Sequence, residues 1–190
     1  MSGRWRYFAF GCLTELALLA IACVAAIILN WQLATTIRWS VPAILWGIGA
    51  AVPMLVAFGW ALRTPWPAVA NIRRFLEHVV RPIFGAWSVL QLAVISMLAG
   101  ICEEALFRGV LQAWLTSIAG PVVGIVAGSV AFGFAHPISR SYIIAATITG
   151  LYLGLLFRAT GDLLAPILAH AVYDFCALLY FLRYHRSDPR

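Results

Sequence analysis

Six ionisable side chains sit inside apolar sequence and define the chemistry this chain is built for. Glu103, Glu104 and Arg108 share one long apolar stretch, His136 ends the next, and His170 and Asp174 lie in the last. At membrane depth each such group costs about 2.5–3.5 kcal/mol on insertion scales, which marks it for function. Helical spacing then sorts them. Glu104 and Arg108 are four apart, so they share a face and are expected to pair. Glu103 is turned about 100° from Glu104 and has no partner on its own helix. The division expected is Glu104 and Arg108 as structure and Glu103 as acid–base chemistry. His170 and Asp174 repeat the four-residue spacing, so an acid can orient an imidazole. Phe132 and His136 are spaced likewise, and Pro137 ends or kinks that helix, which admits water beside His136. A base, two imidazoles and access to water are the parts of a hydrolase.

The elements that position these groups are expected to be membrane helices. Of 190 residues 63% are hydrophobic and 11% charged, against about 25% charged in soluble domains. A soluble core of this length could not hide so much apolar surface. Six stretches approach the roughly 20 apolar residues of a span: Tyr7–Leu29, Val41–Leu62, Trp87–Leu115, Pro121–His136, Tyr142–Phe157 and Leu163–Tyr184. The fold expected is an all-α polytopic bundle, because lipid forbids open sheet edges. Residues 1–85 would supply two helices and a cytoplasmic connection, and residues 86–186 a core of four helices. The first apolar run exceeds a signal-peptide core and is read as a retained span, with Glu15 an odd polar residue within it.

The net charge of +6 comes from arginine alone. Those arginines fall between apolar blocks, which speaks for topology and against nucleic acid. With the N-terminus inside, Arg4, Arg6, Arg63, Arg73, Arg74, Arg81, Arg140, Arg183, Arg186 and Arg190 are cytoplasmic, and Arg38 and Arg158 lie outside. Both termini are therefore expected in the cytoplasm. Residues Ala70–Val80 read as a short amphipathic helix on that interface. Gly120, Gly124 and Gly128, with Gly150 and Gly154, form small-residue stripes for close helix packing. Cys12, Cys23, Cys102 and Cys176 lie in apolar stretches without metal or disulfide spacing and read as filler. Arginine without lysine, with abundant Ala and Trp, suggests a bacterial source.

The motifs resemble those of the CPBP intramembrane proteases, which include type II CAAX prenyl endopeptidases and bacteriocin-immunity proteins. EExxxR is present as Glu103 to Arg108, FxxxH as Phe132 to His136, and HxxxN/D as His170 to Asp174. The three occur in order, between Trp87 and Tyr184. The resemblance implies a metal-free peptidase of the bacterial inner membrane acting on a membrane-associated, lipidated or exported protein. Glu103 would activate water with help from His136, and His170 with Asp174 would stabilise the oxyanion. Glu104, Arg108 and Phe132 would support them. Asp174 departs from the Asn of eukaryotic-type CAAX enzymes, and an ionised Asp cannot donate to an oxyanion. It would be protonated there, or would orient His170 instead.

Three alternatives stand beside this reading. Glu103, His136, His170 and Asp174 are also a plausible set of zinc ligands, although no HExxH motif is present. A non-catalytic relative serving immunity or assembly would keep the same cluster for binding. A proton-coupled carrier uses similar residues, but usually shows two repeated halves. Depth arithmetic places His170 about seven residues from the outer end of its span, roughly 10 Å deep, which favours a site opening outward.

Overall fold

The computed structural model describes residues 3–185; Arg186 and Arg190, assigned above to the cytoplasm, lie outside the described residues. It is an all-α bundle. In chain order come α1 (Gly3–Ile28), a 3-10 turn (Leu33–Thr36), α2 (Val41–Arg63) and α3 (Pro67–Phe75). A π turn (Leu76–Val80), α4 (Arg81–Phe84) and α5 (Val89–Glu104) follow. A π-helical segment (Ala105–Gln112), α6 (Ala113–Ala119), α7 (Pro121–Phe134), α8 (Arg140–Thr160) and α9 (Leu164–Arg183) complete it.

Among the described residues five helices are long and apolar enough to cross a membrane: Gly3–Ile28, Val41–Arg63, Val89–Ala119, Arg140–Thr160 and Leu164–Arg183. The chain is a multi-pass membrane protein. The fourth expected span is corrected, because α7 has only 14 residues. That is about 21 Å at 1.5 Å per residue, short of the roughly 30 Å hydrocarbon core. Proline opens α7 and the His136–Pro137 pair follows its end, which fixes its length from both sides. The expected interfacial helix is also longer than Ala70–Val80, running without a break through residues 67–84.

α9 is the central pillar. It packs against α2, α5 and α8, and its buried residues fall all round the helix, as a core helix requires. Glycines set the closest approaches. A Cβ on Gly47 of α2 would meet Ala165 O at 2.8 Å, and one on Gly100 of α5 would meet Ile167 O at 2.8 Å. Gly124, Gly128, Gly150 and Gly154 likewise press α7, α8 and the π segment together. Gly120 does not join this stripe: it has open space around it and a φ of +87°, so it serves the turn between α6 and α7. Because Gly100 lies one turn from the two glutamates, its substitution should be felt at the site. Gly100→Ala is expected to lower stability by about 1–3 kcal/mol through overpacking. Thermal unfolding in detergent checks this, and an unchanged midpoint would contradict it.

The two ends of the bundle differ in charge. At one end Arg4 donates to Ala86 O at 3.1 Å, and Arg183 donates to Gly85 O at 2.9 Å. Arg81 donates there to Phe181 O at 3.2 Å and His185 O at 3.0 Å. These cations cap the carbonyl ends of helices, where the dipole favours them. The start of α1 and the end of α9 thus lie together at an arginine-rich end. At the other end Asp162 ties the loop before α2 to α9, accepting from Arg38 N at 2.9 Å and Leu164 N at 3.0 Å.

Candidate active site

The six singled-out groups, four helices apart in sequence order, converge on one polar cluster between α5, α7 and α9. The last turn of α5 carries Glu103 and Glu104, and the chain then widens into the π segment that carries Arg108. Such π turns often occur at functional sites. Here the Gly109 carbonyl inside the segment accepts from Trp31 Nε1 at 2.9 Å. α9 supplies His170 and Asp174, and His136 stands just beyond the end of α7.

Glu104 is the buried hub. Its Oε1 accepts from Arg108 Nη1 at 2.8 Å and from His170 Nδ1 at 2.9 Å, and the Glu104 and Arg108 side chains are essentially inaccessible. Arg108 also donates to Gly150 O on α8 at 3.1 Å and lies 4.3 Å from the Phe132 ring centroid. The expected Glu104–Arg108 pair therefore forms. It does more than neutralise charge, because it fixes the imidazole of His170. Since a carboxylate can only accept, Nδ1 of His170 carries the hydrogen in this contact. Its Nε2 is turned to Asp174 Oδ2 at 3.5 Å, as the four-residue spacing predicts.

Phe132 is the apolar centre of the cluster. Its ring lies 4.8 Å from His136, 5.9 Å from His170 and 5.2 Å from Phe107, centroid to centroid. The Phe132 carbonyl accepts from His136 Nδ1 at 2.8 Å. That bond sets the tautomer: Nδ1 is the donor, so Nε2 of the neutral ring is an acceptor. Nε2 faces Glu103 Oε2 at 3.7 Å, and that oxygen is buried without a hydrogen-bond partner among the described residues.

Accessibility is graded across these groups. Side-chain exposure rises from 0% at Glu104 through 11% at Glu103 to 26% at His136 and 29% at Asp174. Asp174 lies one turn nearer the arginine-rich end than His170, and Glu103 precedes Glu104 on the helix that starts at that end. Exposure within the cluster therefore increases toward the arginine-rich end, whereas depth arithmetic favours the other face. The short α7 is the physical reason: it stops at Phe134, so His136 stands on a turn beyond its end and is partly exposed. The α3 helix borders this turn, with Phe75 5.5 Å from Tyr142, whose ring in turn stacks 6.1 Å from His136.

Three neighbours were not singled out as parts of the site. Tyr142, at the start of α8, and Tyr173, beside Asp174 on α9, border it and interact electrostatically with Asp174. Glu15 of α1 interacts electrostatically with Glu103, His170 and Asp174. The tyrosines gave no sequence signal among other aromatics. Glu15 did, as a lone carboxylate in an apolar span.

Residues 85–176 match the family described as type II CAAX prenyl endopeptidase, Rce1-like. Over that segment the chain is similar to that family. All three motifs lie within it, which bears out the family resemblance read from them. YpbD of Bacillus subtilis (strain 168), an uncharacterised protein, is 31% identical over 97 residues. The match covers 50% of this chain and 47% of YpbD, so the chain spans about half the length of that curated relative. No solved structure matches. The Rce1-like segment runs from the start of α5 past Asp174 and leaves α1, α2 and α3 outside.

Proposed function

We propose that this chain is a glutamate-dependent intramembrane endopeptidase of the CAAX-protease type, hydrolysing a peptide bond in a membrane-associated protein. The observation that carries the reading is the pair of opposed acceptors, Glu103 Oε2 and His136 Nε2, 3.7 Å apart. Two acceptors at that separation suit a water molecule that donates one O–H to each. Glu103 takes one proton as the water oxygen attacks the peptide carbonyl, and His136 steadies the other. The carbonyl oxygen becomes an oxyanion. His170, held by Glu104 through Nδ1, offers Nε2–H to that oxyanion, and Asp174 stabilises the imidazolium that donates. Glu103 then passes its proton to the leaving amine, which completes the hydrolysis.

The reading is metal-free. It is supported by the commitment of Glu104 to Arg108 and His170. Among the described residues no three His, Cys, Asp or Glu side chains converge in metal-ligand geometry. The arginine-rich end, toward which exposure within the cluster increases, is assigned to the cytoplasm by the positive-inside rule. Substrate bonds near the cytoplasmic face of a bacterial inner membrane are then the ones within reach. The Rce1-like match supports a lipidated or otherwise membrane-held chain as substrate.

The test is hydrolysis of a membrane-anchored peptide by the purified protein in vesicles made in ¹⁸O-labelled water. The new C-terminus should carry one labelled oxygen, and an intact peptide after long incubation would contradict the proposal. Asp174 gives a further expectation. If it serves by stabilising the His170 imidazolium, Asp174→Asn should lower kcat about tenfold to a hundredfold, the loss of one electrostatic contact, with KM nearly unchanged. An Asn variant as active as wild type would assign Asp174 a neutral, hydrogen-bonding role instead.

A further inference from the structure

The Glu15 carboxylate remains outside both the Rce1-like segment and the proposed reaction. On α1 the residues Gly11, Glu15, Ala22 and Ala26 are spaced by four, seven and four, so they share one helix face. That face rests on α5 and the π segment. A Cβ on Gly11 would lie 3.2 Å from Ile95 Cδ1, and Ala22 and Ala26 pack with Ala105 and Val110. Glu15 is thus held at a level between Ile95 and Ala105, about one helical turn from Cys102 and Glu103. Its Oε2 is buried and has no hydrogen-bond partner among the described residues.

A carboxyl in this setting is expensive, and nothing in the packing of α1 requires one. The titratable groups that face it are Cys102 and Glu103 from α5 and His170 and Asp174 from α9, with Cys12 on its own helix. Glu15, Glu103 and Asp174 therefore act electrostatically on His170 together with Glu104, whose charge Arg108 already engages. Low-dielectric surroundings strengthen the electrostatic interaction between such groups.

We propose that Glu15 is a positioning residue of the site, whose charge governs how protons are shared between Glu103 and His170. Its catalytic importance rests on the proposed peptidase reading, whereas the coupling itself can be measured without turnover. The charge would act through Glu103 and His170, the groups that move protons in the reaction.

The experiment is ¹⁵N-histidine NMR titration of the full chain in lipid nanodiscs, with the His170 signal assigned by its loss in His170→Gln. Glu15→Gln keeps the shape and removes the charge, and neutral glutamine eases insertion, so the variant folds. Glu15→Asp keeps the charge. The expected result is a His170 midpoint displaced by about half a pH unit or more in Glu15→Gln and restored toward wild type in Glu15→Asp. A midpoint unchanged in Glu15→Gln, or displaced equally in both variants, would overturn the proposal. Proteolysis by the same samples reads the peptidase function separately. A wild type that cleaves nothing would defeat that function, and the midpoints would still decide the coupling.

Discussion

Arg108→Leu is expected to cost about 3–5 kcal/mol of stability, the typical penalty for removing one partner of a buried ion pair. The pair is fully enclosed, with 1% and 0% of the Arg108 and Glu104 side chains exposed. Leucine leaves the Glu104 charge with only His170 to answer it and removes the donor to Gly150 O that ties the π segment to α8. The guanidinium contact with Phe132 is lost as well. The measurement is equilibrium or thermal unfolding in detergent or bicelles. Glu104→Leu combined with Arg108→Leu should recover part of the loss, because no uncompensated charge is then buried. A single variant within about 1 kcal/mol of wild type would show that the pair is not the structural hub described here.

Glu103→Gln carries the other large effect, on rate with little effect on stability. Glutamine keeps the side-chain shape, and the Oε2 position accepts no hydrogen bond from the described residues that the change would break. What it loses is the capacity to take a proton from water. Removal of a general base lowers rates by about 10²–10⁴-fold. The expected outcome is therefore a kcat reduced at least a hundredfold, with an unfolding midpoint close to wild type. Activity that survives the substitution would move the base to another residue, whereas a collapsed midpoint would make Glu103 a structural group.

How much of this was legible in the chain depends on the range of each contact. Pairs within one helix are written in their spacing, and the Glu104–Arg108 and His170–Asp174 contacts follow from it. The bundle itself was legible from apolar length, apart from α7, whose 14 residues end before the expected position. Contacts between helices carry no such signature. His170 lies 66 positions from Glu104, so the bond that fixes its tautomer depends on how α9 is set against α5, including the close approach at Gly100. The π segment was hidden too, because its widened turn answers to tertiary contacts such as Trp31 on Gly109 O. The direction in which exposure increases was hidden for a related reason. Counting residues along α9 gives the depth of His170, but access depends on where the neighbouring α7 stops. Glu15 was visible as an anomaly, and its place beside the cluster needed the face of α1 that rests on α5.

The most direct test of the central claim is proteolysis of a membrane-anchored peptide in reconstituted vesicles, comparing wild type with Glu103→Gln, each with and without a strong zinc chelator. Wild-type cleavage that persists in chelator and disappears in Glu103→Gln is the predicted result. Cleavage abolished by the chelator and restored by added zinc, or cleavage retained by Glu103→Gln, would contradict it.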